Sequence, residues 1–134
     1  MRPVIFLLLL TTFFQCQRPA DSLIVGGAWK TDSVYSYYNG FASTKYDFEE
    51  EPVRSYSPDG KLVMTRGPES RTFSYTIKDN DSLFHQGTDY RLIEKFRILK
   101  INNSQMVLRK ELAPVFAGAG QTRYQLIYCS RDAK

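Results

Sequence analysis

The sequence has little cysteine and little histidine: two cysteines and one histidine in 134 residues. Zinc fingers, HExxH proteases, CxxC redox sites and disulfide scaffolds need such residues at short spacing, so these classes are excluded. The chain also lacks an excess of charge, since 24% of its residues are charged and its net charge is +4. With 14% aromatic residues, it can bury enough apolar surface to fold. The length allows one domain.

No catalytic constellation is apparent. The segment Ile24-Val25-Gly26-Gly27 looks like the new N-terminus of an activated trypsin-like protease, but the chain is too short for that fold and has no Gly-x-Ser-x-Gly. The single histidine, His85, lies between Phe84 and Gln86 at a predicted strand end, where we expect a surface or rim position. The sequence therefore predicts no enzyme, no metal site and no cofactor.

Two charged groups have ordinary interpretations. Glu49, Glu50 and Glu51 form a run that favours a solvated loop, because neighbouring carboxylates on a strand point to opposite sides and cannot converge on a cation. The basic residues are interspersed with Glu94 and Glu111, which indicates ordinary protein surface and no nucleic-acid partner. These basic residues are Arg91, Lys95, Arg97, Lys100, Arg109 and Lys110.

The N-terminus has the pattern of an export signal. Arg2 precedes the apolar run Val4 to Phe14, whose 11 residues are fewer than the roughly 20 that span a bilayer as a helix. Such a length is typical of a secretory h-region. We predict a signal peptide over residues 1–15.

Cys16 follows this run directly, and its position resembles the lipobox of bacterial lipoproteins, whose cysteine is diacylated and becomes the first residue. Two acyl chains suffice for stable anchoring. Cys16 is thus the predicted lipidation site, and the membrane is the predicted partner. The alternatives are that Cys16 belongs only to the signal peptide, or that it forms a disulfide with Cys129.

The rest of the chain predicts short strands. Residues 16–22 lack periodicity and are predicted to be a tether, with a possible helical turn within Ser22 to Gly27. Alternation with a period of two residues runs through the domain predicted over 23–134, and turn clusters separate its strands. These clusters are Ser57-Pro58-Asp59-Gly60, Asp79-Asn80-Asp81-Ser82 and Asn102-Asn103-Ser104. A slip in the apolar pattern predicts a bulge near Leu99, and residues 114–120 favour a flexible rim loop.

Eight or nine strands in succession favour an all-β fold in which an antiparallel up-and-down barrel of about eight strands follows the signal segment. Closure into a barrel is the simplest way to leave no unpaired edge. A two-sheet β-sandwich is the alternative architecture.

Gly27-Ala28-Trp29 opens the first strand and is similar to the start of lipocalins. The stretches Tyr56 to Leu62 and Phe96 to Leu108 look like the lipocalin-like domains of bacterial lipoproteins. The resemblance covers about Leu23 to Arg131 and implies an eight-stranded barrel in which Gly27 and Trp29 form a structural plug at the closed end. It also implies that a basic side chain, Arg123 or Arg131, packs on the face of the Trp29 ring.

These observations leave two functional hypotheses. The first is an exported lipoprotein of the bacterial cell envelope, at the outer membrane, whose barrel binds a small hydrophobic or amphipathic molecule. The second is a non-enzymatic interaction or structural module with a filled barrel and no ligand. Under the first hypothesis, the residues expected to line the barrel are Tyr35, Tyr37, Phe73, Tyr75, Phe96, Tyr124 and Tyr128.

Overall fold

A computed structural model describes residues 18–116 and 120–131. Within these ranges one short helix, α1 (Ala20–Ile24), precedes nine strands. The strands are β1 (Ala28–Tyr38), β2 (Phe41–Tyr46), β3 (Val53–Tyr56), β4 (Lys61–Arg66), β5 (Glu69–Lys78), β6 (Ser82–Gln86), β7 (Leu92–Ile101), β8 (Gln105–Glu111) and β9 (Arg123–Ser130). None of the described helical segments is long and apolar enough to cross a bilayer. Cys16 and the predicted signal peptide lie outside the described residues.

The long strand β1 closes the sheet into a barrel. It pairs with β3 at Ala28 and Trp29, and with β9 from Lys30 to Tyr38. The strands from β3 to β9 pair antiparallel in chain order, so β1 and β3 to β9 form a closed ring of eight strands. The ninth strand, β2, forms a hairpin with the far end of β1. The predicted antiparallel barrel is confirmed, and the sandwich alternative is wrong because β1 joins both ends of the sheet.

The turns and one irregularity follow the predictions from the sequence. Between β3 and β4, Gly60 has a φ of +82° and donates its N–H to the Ser57 carbonyl at 3.1 Å, a conformation that glycine adopts at no steric cost. The register of β7 against β8 shifts between Ile98 and Lys100. The predicted bulge at Leu99 is therefore confirmed.

A second bulge lies in β1, where the register against β9 shifts between Thr31 and Ser33. An extra residue in one strand reverses the facing of every side chain beyond it. Trp29 and Thr31 thus face the interior before the bulge, and Val34 and Ser36 do so after it. The sequence alone did not indicate this reversal.

One end of the barrel is closed by α1 and by Trp29, which is fully buried. The indole Nε1 donates to the Ile24 carbonyl at 2.8 Å, and the guanidinium of Arg131 lies 4.3 Å from the ring centroid. Arg131 also donates to the carbonyls of Leu23 (2.6 Å) and Val25 (2.7 Å). Residues 20–22, predicted to be tether, form the first turn of α1, and their backbone is held to the barrel by the 2.6 Å hydrogen bond from Ala20 N–H to Asn80 Oδ1.

Candidate functional site

Apolar side chains fill the barrel near its closed end. The inward residues at the end closed by α1 are fully buried, and they form one cluster with Trp29 and Phe96. Dry, close-packed side chains leave no room for a ligand at this level. Besides Trp29, this layer contains Leu62, Leu83, Met106 and Leu108.

A row of polar side chains crosses the interior above this layer. The Tyr56 hydroxyl lies 2.9 Å from His85 Nε2, and His85 Nδ1 lies 3.6 Å from Glu94 Oε2. The other oxygen of Glu94 accepts a hydrogen bond from Lys110 Nζ at 2.6 Å. A proton on Nδ1 would face the carboxylate and leave Nε2 free to accept from the tyrosine hydroxyl.

The surroundings of this row determine which of its side chains are charged. Burial lowers the pKa of His85 below its ordinary value and outweighs the opposing effect of Glu94, so the imidazole is neutral at pH 7. The nearby His85 ring, together with the hydrogen bond and charge of Lys110, lowers the pKa of Glu94 to about 2. Burial raises the pKa of Tyr56. The row therefore holds one ion pair, Glu94 with Lys110, next to two neutral rings.

Beyond the row, a cavity of about 230 Å³ opens toward the end of the barrel opposite Trp29. Its apolar lining residues come from β1, β7, β9 and, in the case of Phe48, the loop between β2 and β3. Its polar lining residues include two basic groups, two acidic groups, a hydroxyl and an amide. The lining consists of Thr31, Val34, Phe48, Glu51, Arg54, Glu94, Phe96, Lys110, Gln125 and Ile127. Apolar walls with a few converging polar groups are the usual composition of a small-molecule site.

Arg54 differs from the other charged residues of the cavity. Its Nη1 donates to the Thr31 hydroxyl at 3.1 Å. Its Nε is buried, and no hydrogen-bond partner for it exists among the described residues. None of the ion pairs within residues 18–116 and 120–131 includes Arg54. The cavity thus contains a half-buried cation whose charge no carboxylate neutralises by direct contact.

Three of the seven residues predicted to line the barrel face its interior. Phe96 lines the cavity. Tyr75 is buried below it, where its hydroxyl donates to the Ser57 carbonyl at 2.8 Å. Phe73 pairs in register with the fully buried Leu62 and packs against the same core. Phe96 alone of the three is therefore placed to contact a ligand in this cavity.

The other four predicted lining residues lie on the outer face, which corrects the prediction. In β9 the buried positions are Ile127 and Cys129, so Tyr124 and Tyr128 alternate with them and point outward. Their cross-strand neighbours in β1 share that face, and Tyr35 pairs with Leu126 while Tyr37 pairs with Tyr124.

The outward tyrosines pack on one another. The rings of Tyr37 and Tyr124 stack with centroids 5.0 Å apart, and the Arg109 guanidinium lies 4.1 Å from the Tyr124 centroid. The alternation of the sequence alone suggests an interior position for these tyrosines, because they share the apolar face of their strands. A tyrosine ring can instead cover the outer surface while its hydroxyl contacts water.

Two residues of the polar row lie elsewhere than the sequence predicts. The sequence predicts a surface or rim position for His85, which is 1% exposed, and ordinary surface for Lys110, which joins Glu94 inside the barrel. One signal could have found them, because His85 keeps the period-two phase of Leu83, and Lys110 keeps that of Met106 and Leu108. The Glu49 to Glu51 run does form an exposed loop as predicted.

A wider groove of about 580 Å³ lies outside the barrel, beside α1 and β7. Its charged residues, Arg18 and Lys100, are exposed, so their charges are solvated and screened. The interior cavity, where Arg54 is half-buried, offers the stronger interactions for a polar ligand.

Fold and site together define a small antiparallel β-barrel, closed at one end, with a partly polar cavity at the other. Comparisons of the chain with models of protein families, with curated proteins and with solved structures find no match.

Proposed function

We propose that this chain is a membrane-anchored binding protein of the bacterial cell envelope, whose barrel takes a small amphipathic molecule at its open end. The observation that carries the proposal is the cavity itself, in which apolar Val34, Phe96 and Ile127 stand opposite Arg54 and Lys110. A molecule with one polar and one apolar part would satisfy both kinds of wall.

The size of the cavity limits which ligands could bind in it. A volume of about 230 Å³ is below the roughly 300–1,000 Å³ of sites that hold drug-sized ligands. The filled layer around Trp29 stops a long chain from entering further. A purely hydrophobic ligand is also disfavoured, because it would bury the Arg54 and Lys110 charges against apolar atoms.

The proposed anchor rests on the sequence. The apolar run Val4 to Phe14 and the cysteine that follows it support export and acylation at Cys16. The short helix α1 begins at Ala20, only four residues after Cys16. At roughly 3.5 Å per extended residue, an acylated Cys16 would hold the closed end of the barrel near the bilayer and leave the cavity facing away from it.

A second candidate function is protein interaction through the outer face of β1, β2 and β9. Every residue of β2 is exposed, and Tyr46 (70% exposed) pairs with the outward Ser33, so it shares the outer face of Tyr37. Together with the stacked pair Tyr37 and Tyr124, its ring gives an aromatic surface of the kind enriched at protein interfaces.

Native mass spectrometry of the full chain, extracted from its own membrane in detergent, separates the two functions. We expect an additional small mass on the wild type that is lost in Val34→Phe, which fills the cavity. Ser33→Phe is the matched control, since Ser33 pairs with the outward Tyr128, and it should retain the additional mass. A wild-type chain without a bound small molecule, or equal retention by both variants, would contradict the binding function.

A further inference from the structure

We infer that the ligand of this cavity is a small monocarboxylic acid whose carboxylate binds the guanidinium of Arg54. The inference rests on the proposed binding function and adds to it the chemical class of the ligand. It follows from which charges of the cavity are paired, from the position of Arg54 and from the apolar wall opposite.

Two of the four charged side chains that line the cavity pair with each other, and a third is solvated. Lys110 and Glu94 pair at 2.6 Å, and Glu51 lies on the exposed loop, where water solvates its carboxylate. Arg54 is half-buried, its Nε is buried without an acceptor, and no carboxylate pairs with it among the described residues. A partly desolvated cation without a direct counter-charge gains from an anionic partner, so an anion brought by a ligand would bind favourably here.

The required charge is a single negative one. Phosphate monoesters carry nearly two negative charges at pH 7, and the second would lie near Glu94 and Glu51 with no cation left to balance it. A carboxylate has one charge, and its two oxygens match the planar donor geometry of a guanidinium. Nη1 already donates to Thr31 at 3.1 Å, and Nε has no acceptor among the described residues, so a carboxylate bound at this side of the guanidinium would supply one.

The remaining lining sets the rest of the ligand. Val34, Phe96 and Ile127 form the apolar wall, and Phe48 approaches from the loop between β2 and β3. An aromatic or branched apolar group would pack on the Phe96 ring, while the small volume excludes a long alkyl chain. The predicted class is a compact acid with one ring or a short branched tail.

Calorimetric titration of the full chain in phosphatidylcholine nanodiscs tests this inference with three probes of similar shape: phenylacetate, its neutral analogue phenylacetamide, and phenyl phosphate. At pH 7 we expect phenylacetate to bind at least about tenfold more tightly than the amide, because the charged carboxylate is a stronger acceptor for the guanidinium than the neutral amide oxygen. Phenyl phosphate should bind more weakly than phenylacetate.

Arg54→Met should abolish the preference for the acid over the amide. The variant should fold at least as stably as the wild type, because an uncompensated charge is replaced by an apolar side chain. Arg91→Met is the matched control, since Arg91 is 88% exposed, and it should keep the preference. Arg54→Lys keeps the charge but loses the planar fork, so it should bind phenylacetate with intermediate affinity.

The outcomes distinguish a failure of the acid inference from a failure of the proposed binding function. Equal binding of acid and amide, lost in Val34→Phe, would overturn the acid inference and leave the binding function standing. Tighter binding of phenyl phosphate, or an unchanged preference in Arg54→Met, would also overturn it. If none of the probes binds and the wild type carries no additional mass, both the inference and the binding function fall.

Discussion

At the scale of single residues, the interior of this barrel depends on how a few polar groups compensate one another. Glu94 contacts His85 on one side and Lys110 on the other. Removing one partner of such a pair costs more than the pair contributes, because the remaining charge keeps its desolvation penalty. Lys110 is therefore a structural cation, whereas Arg54, which has no such partner among the described residues, is the cation to which the proposed ligand would bind.

The Glu94 carboxylate makes stability depend on pH. Its pKa falls from 4.5 when exposed to about 2 in the folded protein, so its stabilising effect is complete above pH 4.5 and is lost as the pH falls toward 2. The lowered pKa of His85 acts in the same direction below its ordinary value of 6.5, since the unfolded chain binds that proton first.

We expect urea denaturation to show the free energy of unfolding falling by about 2 kcal/mol between pH 4.5 and 2 on account of Glu94, after allowance for its partial exposure. Glu94→Gln removes the titrating group and should flatten this part of the profile. A variant that loses stability as steeply as the wild type would contradict the assigned role of Glu94.

At the scale of the elements, the bulge in β1 decides which residues reach the cavity. Because β1 gains one residue between Thr31 and Ser33, Val34 rather than Tyr35 faces inward, and the tyrosines of β1 meet those of β9 on the outside. The outer aromatic surface and the inner cavity therefore depend on one irregularity of a single strand.

Deleting Asp32 tests this dependence. Without the extra residue, either β1 must slip against β9 or Tyr35 and Tyr37 must enter the interior, so we expect a loss of more than about 3 kcal/mol or no folding at all. Deleting Glu50, which lies on the exposed loop before β3, changes no strand register and should be tolerated. Chemical denaturation of both variants measures the difference, and equal stability would show that β1 is not locked by its bulge.

Much of this fold could be predicted from the sequence because the determining signals are local. The turn at Ser57 to Gly60 and the bulge at Leu99 both appear as interruptions of short-range alternation. The direction in which the side chains of a strand point is not determined locally in the same way. The bulge in β1 depends on its pairing with β9, about a hundred residues away, and no residue near Asp32 predicts it.

The site was less predictable than the fold for a related reason. Aromatic type suggested an interior position for Tyr124 and Tyr128, and polar type suggested the surface for His85 and Lys110. In each case the alternation of the strand determined whether the side chain points inward or outward. Buried neighbours such as Cys129 and Leu108 set this alternation, and the residue type did not.

At the scale of the whole molecule, the closed end joins the two ends of the domain. Trp29 is the largest fully buried side chain, and it connects α1 with the residue that follows β9. Gly27 belongs to this arrangement, because a Cβ at its position would meet Arg131 Cδ at 3.0 Å.

Trp29→Ala should lower the free energy of unfolding by about 3–5 kcal/mol, since it leaves a large void among packed side chains. Ile93→Ala removes a side chain that is 52% exposed and should change stability by no more than about 0.5 kcal/mol. Thermal or urea denaturation compares them, and a Trp29→Ala variant with near wild-type stability would exclude a structural role for the closed end.

The pairing of β1 with β9 also has a consequence for the order of events during synthesis. β1 is synthesised early but cannot pair with β9 until β9 has been made. The sheet of a partly synthesised chain is therefore still open. Contacts between residues so distant in sequence form slowly. A chain that must thread through a translocation channel before it folds would benefit from this delay, because the final strand to cross is the one that completes the ring.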